Sequence, residues 1–409
     1  MRIWAFPSFY PYDYPGYTHS GIFAHRQYKG LIENGAELTV IIPVSWNPVF
    51  PFSLLHPEWK SVQKMSYPYE RVYDGIKVYH PRVANMKPSR FVKKSHEERY
   101  VECIVNFFKN NDIVLSPKTD VFYSQWLPSA RMVQMAAHKL GVKSGVLCIG
   151  DDVVLWPAAN EENRNLFEAT LLEADFRFAC ADYLGKLANS IIGKDLHFDT
   201  IRRGVDYNFF KPVPATEKEE LKMKFNIPAG KTVILTIGTA SKRKGWIDLF
   251  DALVDVKKQN TDFILASIHT GDLEFDFSDE TEKRGLKEHF IDLGERSPGE
   301  LNKIFNLADI FCLPSHSEGI ANVVIEAMSS GLPVITTTVG GHGELITNCT
   351  NGILIPPQKP SVLSEKLLAL INNKEKRTAL GAAAREHIVK VWGNFADNTK
   401  LLYERLCKI

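Results

Sequence analysis

Apolar residues along this chain alternate between two periods. Short β-branched or aromatic runs are followed by longer stretches of helical spacing, the mark of βαβ units and parallel sheets. Two such series are present. The first predicts strands at Arg2 to Ala5, Glu37 to Ile42, Lys77 to His80, Val121 to Tyr123, Gly145 to Ile149, Phe176 to Cys180 and Thr200 to Arg202. The second predicts strands at Val233 to Ile237, Phe263 to Ile268, around Ile291, and at Ile310 to Leu313, Val334 to Thr336 and Ile353 to Ile355. Between them, Pro212 and Pro214 remove backbone donors and restrict their neighbours, as a connection between domains would. This predicts a domain of residues 1–210, a second of 211–385, and a closing helical segment 386–409, interrupted at Gly393, that packs back on the first domain. Doubly wound domains hold ligands beyond the carboxyl ends of their strands, so the loops there are the first place to look for chemistry.

The 409 residues are 44% hydrophobic and 24% charged, ordinary for a folded chain of two or three domains. Lys plus Arg number 49 against 48 Asp plus Glu, so no overall field favours nucleic acid. Six cysteines are scattered without a C-x-x-C pair, no apolar run reaches the length of a membrane span, and the first residues lack a secretory pattern. The expectation is a cytoplasmic protein.

The most informative stretch runs from Ile310 to Pro333. It reads as a buried strand, a loop entering a helix through Ser317, Glu318 and Gly319, and a stop at Gly331 before Pro333. The N–H groups of Gly319, Ile320, Ala321 and Asn322 would form an anion site at the helix start. Glu326, two turns after Gly319, falls on the same face, so two acids flank that site. Each carboxylate can accept from neighbouring hydroxyls, which suits a sugar on one side of a phosphate and a ribose on the other. No strict Asp-x-Asp triplet and no paired His-carboxylate spacing occurs, so neither a catalytic metal nor another cofactor is expected.

Glu318 and Glu326 resemble the Glu-x7-Glu motif of retaining glycosyltransferases of glycosyltransferase family four (glycosyl transferases group one). Ile237-Gly238 to Lys244-Gly245, Leu293-Gly294, Gly331-Leu332-Pro333-Val334, Gly340-Gly341 with Glu344, and Asn351-Gly352 fit the order of its weaker landmarks. The resemblance is clear over about residues 200 to 360 and implies the GT-B architecture: two Rossmann-like domains facing a central cleft. It implies a hexose moved from a nucleotide-diphosphate sugar to a glycan or lipid-linked glycan, as in surface polysaccharide or glycoconjugate synthesis. A GT-B epimerase, a phosphorylase-like enzyme or an inactive carbohydrate-binding relative shares the same parts.

By the same resemblance Lys244 grips the donor diphosphate. Thr239 stands where the family has an arginine; the diphosphate charge still needs compensation at close range, and Arg243 or Lys242 of the same loop is the candidate to supply it. Glu318 meets the transferred sugar and Glu326 the ribose. Gly21, in a loop with Gly16 and His19, resembles the family's glycine loop over the phosphates. Asp151 and Asp152 follow Gly150 in a segment similar to the family's His-Gly-x-Asp, with Ile149 in place of histidine, which assigns Asp152 to the reacting sugar. The apolar loop Trp46 to Leu55 and the basic-aromatic stretch Lys87 to Lys94 are the candidates for acceptor contact and for peripheral contact with an anionic membrane.

Overall fold

The computed structural model describes residues 1–11, 21–46, 68–84, 94–270 and 273–409. Residues 1–180, 185–201 and 399–409 form one compact unit, and 181–184 and 202–398 a second. The main division thus falls at Ile201/Arg202 rather than at 210/211. Val205 and Phe210 are buried in the second unit's core, so the proline-rich stretch belongs to that unit. The closing segment divides at Asn398/Thr399 rather than at 385/386: Ile388 and Trp392 pack in the second unit, Leu402 and Leu406 in the first.

In the first unit the strands are β1 (Arg2–Pro7), β2 (Glu37–Ile41), β3 (Val44–Trp46), β4 (Glu70–Tyr73), β5 (Ile76–Tyr79), β6 (Arg82–Ala84), β7 (Asp120–Gln125), β8 (Lys143–Cys148), β9 (Phe176–Ala179) and β10 (Asp199–Thr200). Among the described residues the main sheet runs β10-β9-β8-β7-β1-β2-β5-β4, parallel except for the edge pair β4 and β5. β1 shows why it forms: Ile3 and Ala5 face one core with Tyr28 and Leu31, while Trp4 and Phe6 face another with Phe108 and Phe122, so both faces are covered. Asp120, buried, accepts from Trp4 Nε1 and Arg2 Nη2, both at 2.8 Å, which fixes the β1 and β7 register. The hairpin strand β4 and the short pair β3 and β6 were not expected from the sequence, because they are short and largely exposed and so carry little apolar pattern.

The second unit holds β11 (Thr232–Thr239), β12 (Phe263–Thr270), β13 (Phe290–Asp292), β14 (Ile310–Leu313), β15 (Val334–Thr337) and β16 (Ile353–Ile355), in order β13-β12-β11-β14-β15-β16, all parallel. This is the doubly wound strand order in which the winding direction reverses between the first and fourth strands. Along β11, Val233, Leu235 and Ile237 pack into one core, while Ile234 packs with Trp246 and Phe250 on the other face.

Candidate active site

The reversal point of the second unit lies between β11 and β14. Helices leave these two strands on opposite sides, so their carboxyl-end loops diverge and open a crevice. Residues 240–245 and 314–321 are those loops. They are tied together at several points. His316 N–H donates to Arg243 O at 2.8 Å, Arg243 Nη1 to Ser317 O at 2.9 Å, and His316 Nε2 lies 2.8 Å from Asp248 Oδ2. Gly245, at φ 74°, sits so close that a Cβ there would lie 2.0 Å from Pro314 O; only glycine permits both the backbone angle and the approach. Arg243, expected to hold phosphate, thus spends one donor on the neighbouring loop.

Within this clasp Lys244 Nζ lies 2.6 Å from Glu318 Oε1, and Ser315 Oγ donates to the same oxygen at 2.9 Å. Both side chains are largely buried, at 14% and 9% exposure, so the pair is shielded from bulk water. The structure brings together these two residues, which the sequence placed 74 positions apart. Ser315 was missed; a serine three residues before Glu318 is its only local signal.

The helix carrying Glu326 spans Asn322–Ser329, so it begins at Asn322 and not at Gly319. Glu318 and Gly319 are instead held by the loop after β15. Gly341 N–H donates to Gly319 O at 2.6 Å, and a Cβ on Gly340 would lie 2.1 Å from Glu318 O. Ala321 N–H points at His342 Nε2, 3.5 Å away. His342 is fully buried, and burial pushes its pKa down, which keeps it neutral. Its Nδ1 lies 3.1 Å from Thr337 O, which can only accept, so Nδ1 carries the proton and Nε2 accepts from Ala321. Of the four N–H groups expected to receive an anion, Ala321's is therefore already engaged. Glu326 stands one turn beyond Asn322 on the same helix face and is 7% exposed. Glu344 accepts from the N–H of Asp182 at 3.0 Å and from that of Tyr183.

Asp152, in the first unit, is placed differently from the sequence expectation. It is fully buried, and its carboxylate accepts from the N–H groups of Gly150 at 2.7 Å, Ile149 at 3.0 Å and Leu127 at 3.3 Å. Burial pushes its pKa up to about 6, against the opposing pull of those N–H donors. With both oxygens accepting from backbone, it organises the loops after β7 and β8 rather than facing outward. Asp151 opens the short helix Asp151–Val154. Gly21, at φ 76°, precedes the helix Ile22–Glu33, and a Cβ there would meet Phe9 O at 2.3 Å. Gly16 and His19 lie outside the described residues, as do residues 47–55 of the apolar loop and 87–93 of the basic stretch.

Residues 217–387 match the family model described as glycosyl transferases group 1. The match lies inside the second unit and contains every residue of the clasped loops. A D-inositol 3-phosphate glycosyltransferase of Corynebacterium kroppenstedtii is 27% identical over 280 residues, 66% of this chain and 60% of that protein. The chain thus spans less than two thirds of that relative's length. A putative teichuronic acid biosynthesis glycosyltransferase, TuaC of Bacillus subtilis, is 24% identical over 90% of this chain and 88% of its own. Among solved structures, Anabaena HepE in complex with UDP superposes with a TM-score of 0.74 at 16% identity, covering 100% of both chains. The fold is α/β of the GT-B class, with two Rossmann-like domains. No described helix is long and apolar enough to cross a membrane.

Proposed function

We propose that this chain is a retaining glycosyltransferase of glycosyltransferase family four that takes a hexose from a nucleotide-diphosphate sugar, works without a metal, and delivers it to a glycan or lipid-linked glycan. The observation that carries the reading is the shielded pair of Lys244 and Glu318 on the two loops at the second unit's reversal point, beside the 319–322 segment. The relatives named for transfer to inositol phosphate and for teichuronic acid synthesis, and the UDP held by HepE, support the donor and acceptor classes.

In this reading the donor diphosphate displaces Glu318 as the partner of Lys244. The ammonium and the N–H groups of Gly319, Ile320 and Asn322 neutralise charge that grows on the departing phosphate, in a site already organised before the donor arrives. Glu318, still oriented by Ser315, meets the sugar as positive charge develops on it. Glu326 accepts from the ribose hydroxyls. Asp152 positions loops and touches no reacting atom.

Two mutants separate these roles. Glu326→Ala should weaken binding of free nucleoside diphosphate by about 1 to 3 kcal/mol, as expected for lost charge-assisted bonds, measured by calorimetry. Glu318→Ala should leave that binding nearly intact and lower turnover on the order of 10²-fold or more. Turnover should also survive EDTA, since Lys244 does the work a metal would do. Wild-type turnover in both folded mutants would remove the reading; loss with EDTA restored by Mn²⁺ would overturn its metal-free mechanism.

A further inference from the structure

At the other end of the second unit's sheet lies a groove of about 850 Å³, bounded by Thr232 at the start of β11, Asp309 just before β14 and Pro333 just before β15. It faces the amino ends of the strands. β11 alone is eight residues long, so roughly 25 Å of strand separates this groove from the Lys244 and Glu318 loops. It is a different site from the one described above.

Its lining is strongly cationic. Seven Lys and Arg side chains stand against three carboxylates, a surplus of four in a chain whose net charge is only +1. The compensation is uneven. Lys218 and Lys222 share the carboxylate of Asp309, at 2.8 Å to Oδ1 and 3.0 Å to Oδ2, with Glu219 Oε1 3.5 Å from Lys222. Lys231 pairs with Asp262 at 3.1 Å and Lys390 with Glu386 at 2.5 Å, which leaves Lys374, Arg377 and Arg385 as the cations of the lining without a carboxylate among the described residues. Arg385 is held by backbone carbonyls, those of Phe210, Ser329 and Tyr207, and Arg377 Nη1 by those of Leu370 and Ile371; no carboxylate neutralises either among the described residues. Lys374 stands exposed beside Arg377, one turn earlier on the helix Lys374–His387. Burial depresses the pKa of both Lys218 and Arg385, as expected where cations are desolvated without full compensation.

We propose that this groove binds a multiply charged phosphate group. A lone carboxylate would only repeat what Asp309 already supplies. A ligand with two or more negative charges can neutralise the surplus, and the open edge of an arginine fork with adjacent ammonium groups suits phosphate oxygens. The volume is that of a small-molecule site. The phosphate can arrive as a free phosphoanion or as a phospholipid headgroup, and one set of measurements separates the two.

Hydrogen exchange of the full chain with inorganic pyrophosphate should show protection over 215–222 and 374–390. Lys374→Glu and Lys374→Glu/Arg377→Glu should weaken that protection at least tenfold, whereas Lys244→Met should leave it. Flotation with phosphatidylglycerol vesicles, against phosphatidylcholine vesicles, tests the lipid source. Capture by the anionic vesicles alone, lost in the double variant and displaced by pyrophosphate, assigns the headgroup. Protection by pyrophosphate without vesicle capture assigns the free anion. Protection confined to 239–245 and 319–322, or responses to both probes unchanged in the charge-reversed variants, would overturn the proposal.

Discussion

Asp152 is a carboxylate held by the backbone N–H groups of Ile149, Gly150 and Leu127, and that makes its proton visible. Its ordinary pKa is about 3.8, whereas burial holds it at about 6 in the folded chain. Between those values the folded protein binds a proton that the unfolded chain has released. The stability due to this group is therefore fully present below about pH 4 and falls as pH rises to about 6. Asp152→Asn removes the titration. Denaturant melts should show wild type losing stability relative to the variant, on the order of 3 kcal/mol, from pH 4 to pH 6.5, at about 1.4 kcal/mol per pKa unit. A difference that does not change with pH would show that the carboxyl titrates normally. The sequence made Asp152 visible as an acid after a strand but not its direction, because beside the local N–H groups of Ile149 and Gly150 it is held by that of Leu127, which comes from another loop. Lys244 and Glu318 were legible as types in a pattern. Their pairing was not, since 74 residues separate them.

At the scale of elements, the strands were readable wherever both faces are buried. β14 is a continuous apolar run, and β11 carries Val233, Ile234, Leu235 and Ile237 on its two covered faces, as a strand buried on both sides does. The sequence pattern places the onset of the helix Asn322–Ser329 too early because Ser317 and Glu318 look like capping residues, while the bonds that take them up come from Arg243, Lys244 and Ser315. Local pattern cannot report a partner from another loop. The clasp of the two loops makes a sharp prediction. Gly245→Ala sets a Cβ against Pro314 O at a left-handed backbone angle, so it should destabilise the second unit by about 2 kcal/mol or more and lower turnover by spreading Lys244 from Glu318. Gly343→Ala is the control, since a Cβ there meets nothing within 4 Å and its stability should change by less than about 0.5 kcal/mol. Equal melting temperatures for the two variants would mean that the loops yield without cost.

For the molecule as a whole, the two series of strands announced two doubly wound sheets, and the structure has them. The way the chain divides was less legible. Two prolines drew the boundary toward 212, yet Pro212 packs near Gly331 of the second unit, and of the closing segment expected on the first domain only residues 399–409 go there. They belong to the first: Leu402 and Leu406 are fully buried with Tyr28 and Leu31. Ending the chain at Asn398 should therefore damage the first unit and spare the second. Two buried leucines contribute roughly 3 to 6 kcal/mol, a large share of a domain's 5 to 15. Scanning calorimetry should show the first unit's transition lowered or lost; an unaltered pair of transitions would show the segment to be dispensable.

That same segment sets the timetable on the ribosome. The first unit is almost entirely synthesised by residue 201, but its last apolar pieces emerge only after residues 202–398 have been made, roughly 10 to 40 s later at usual elongation rates. Throughout that interval the surface around Tyr28 and Leu31 has no permanent cover, so the nascent chain is a natural client for chaperones, and the unit that begins first is the one that finishes last.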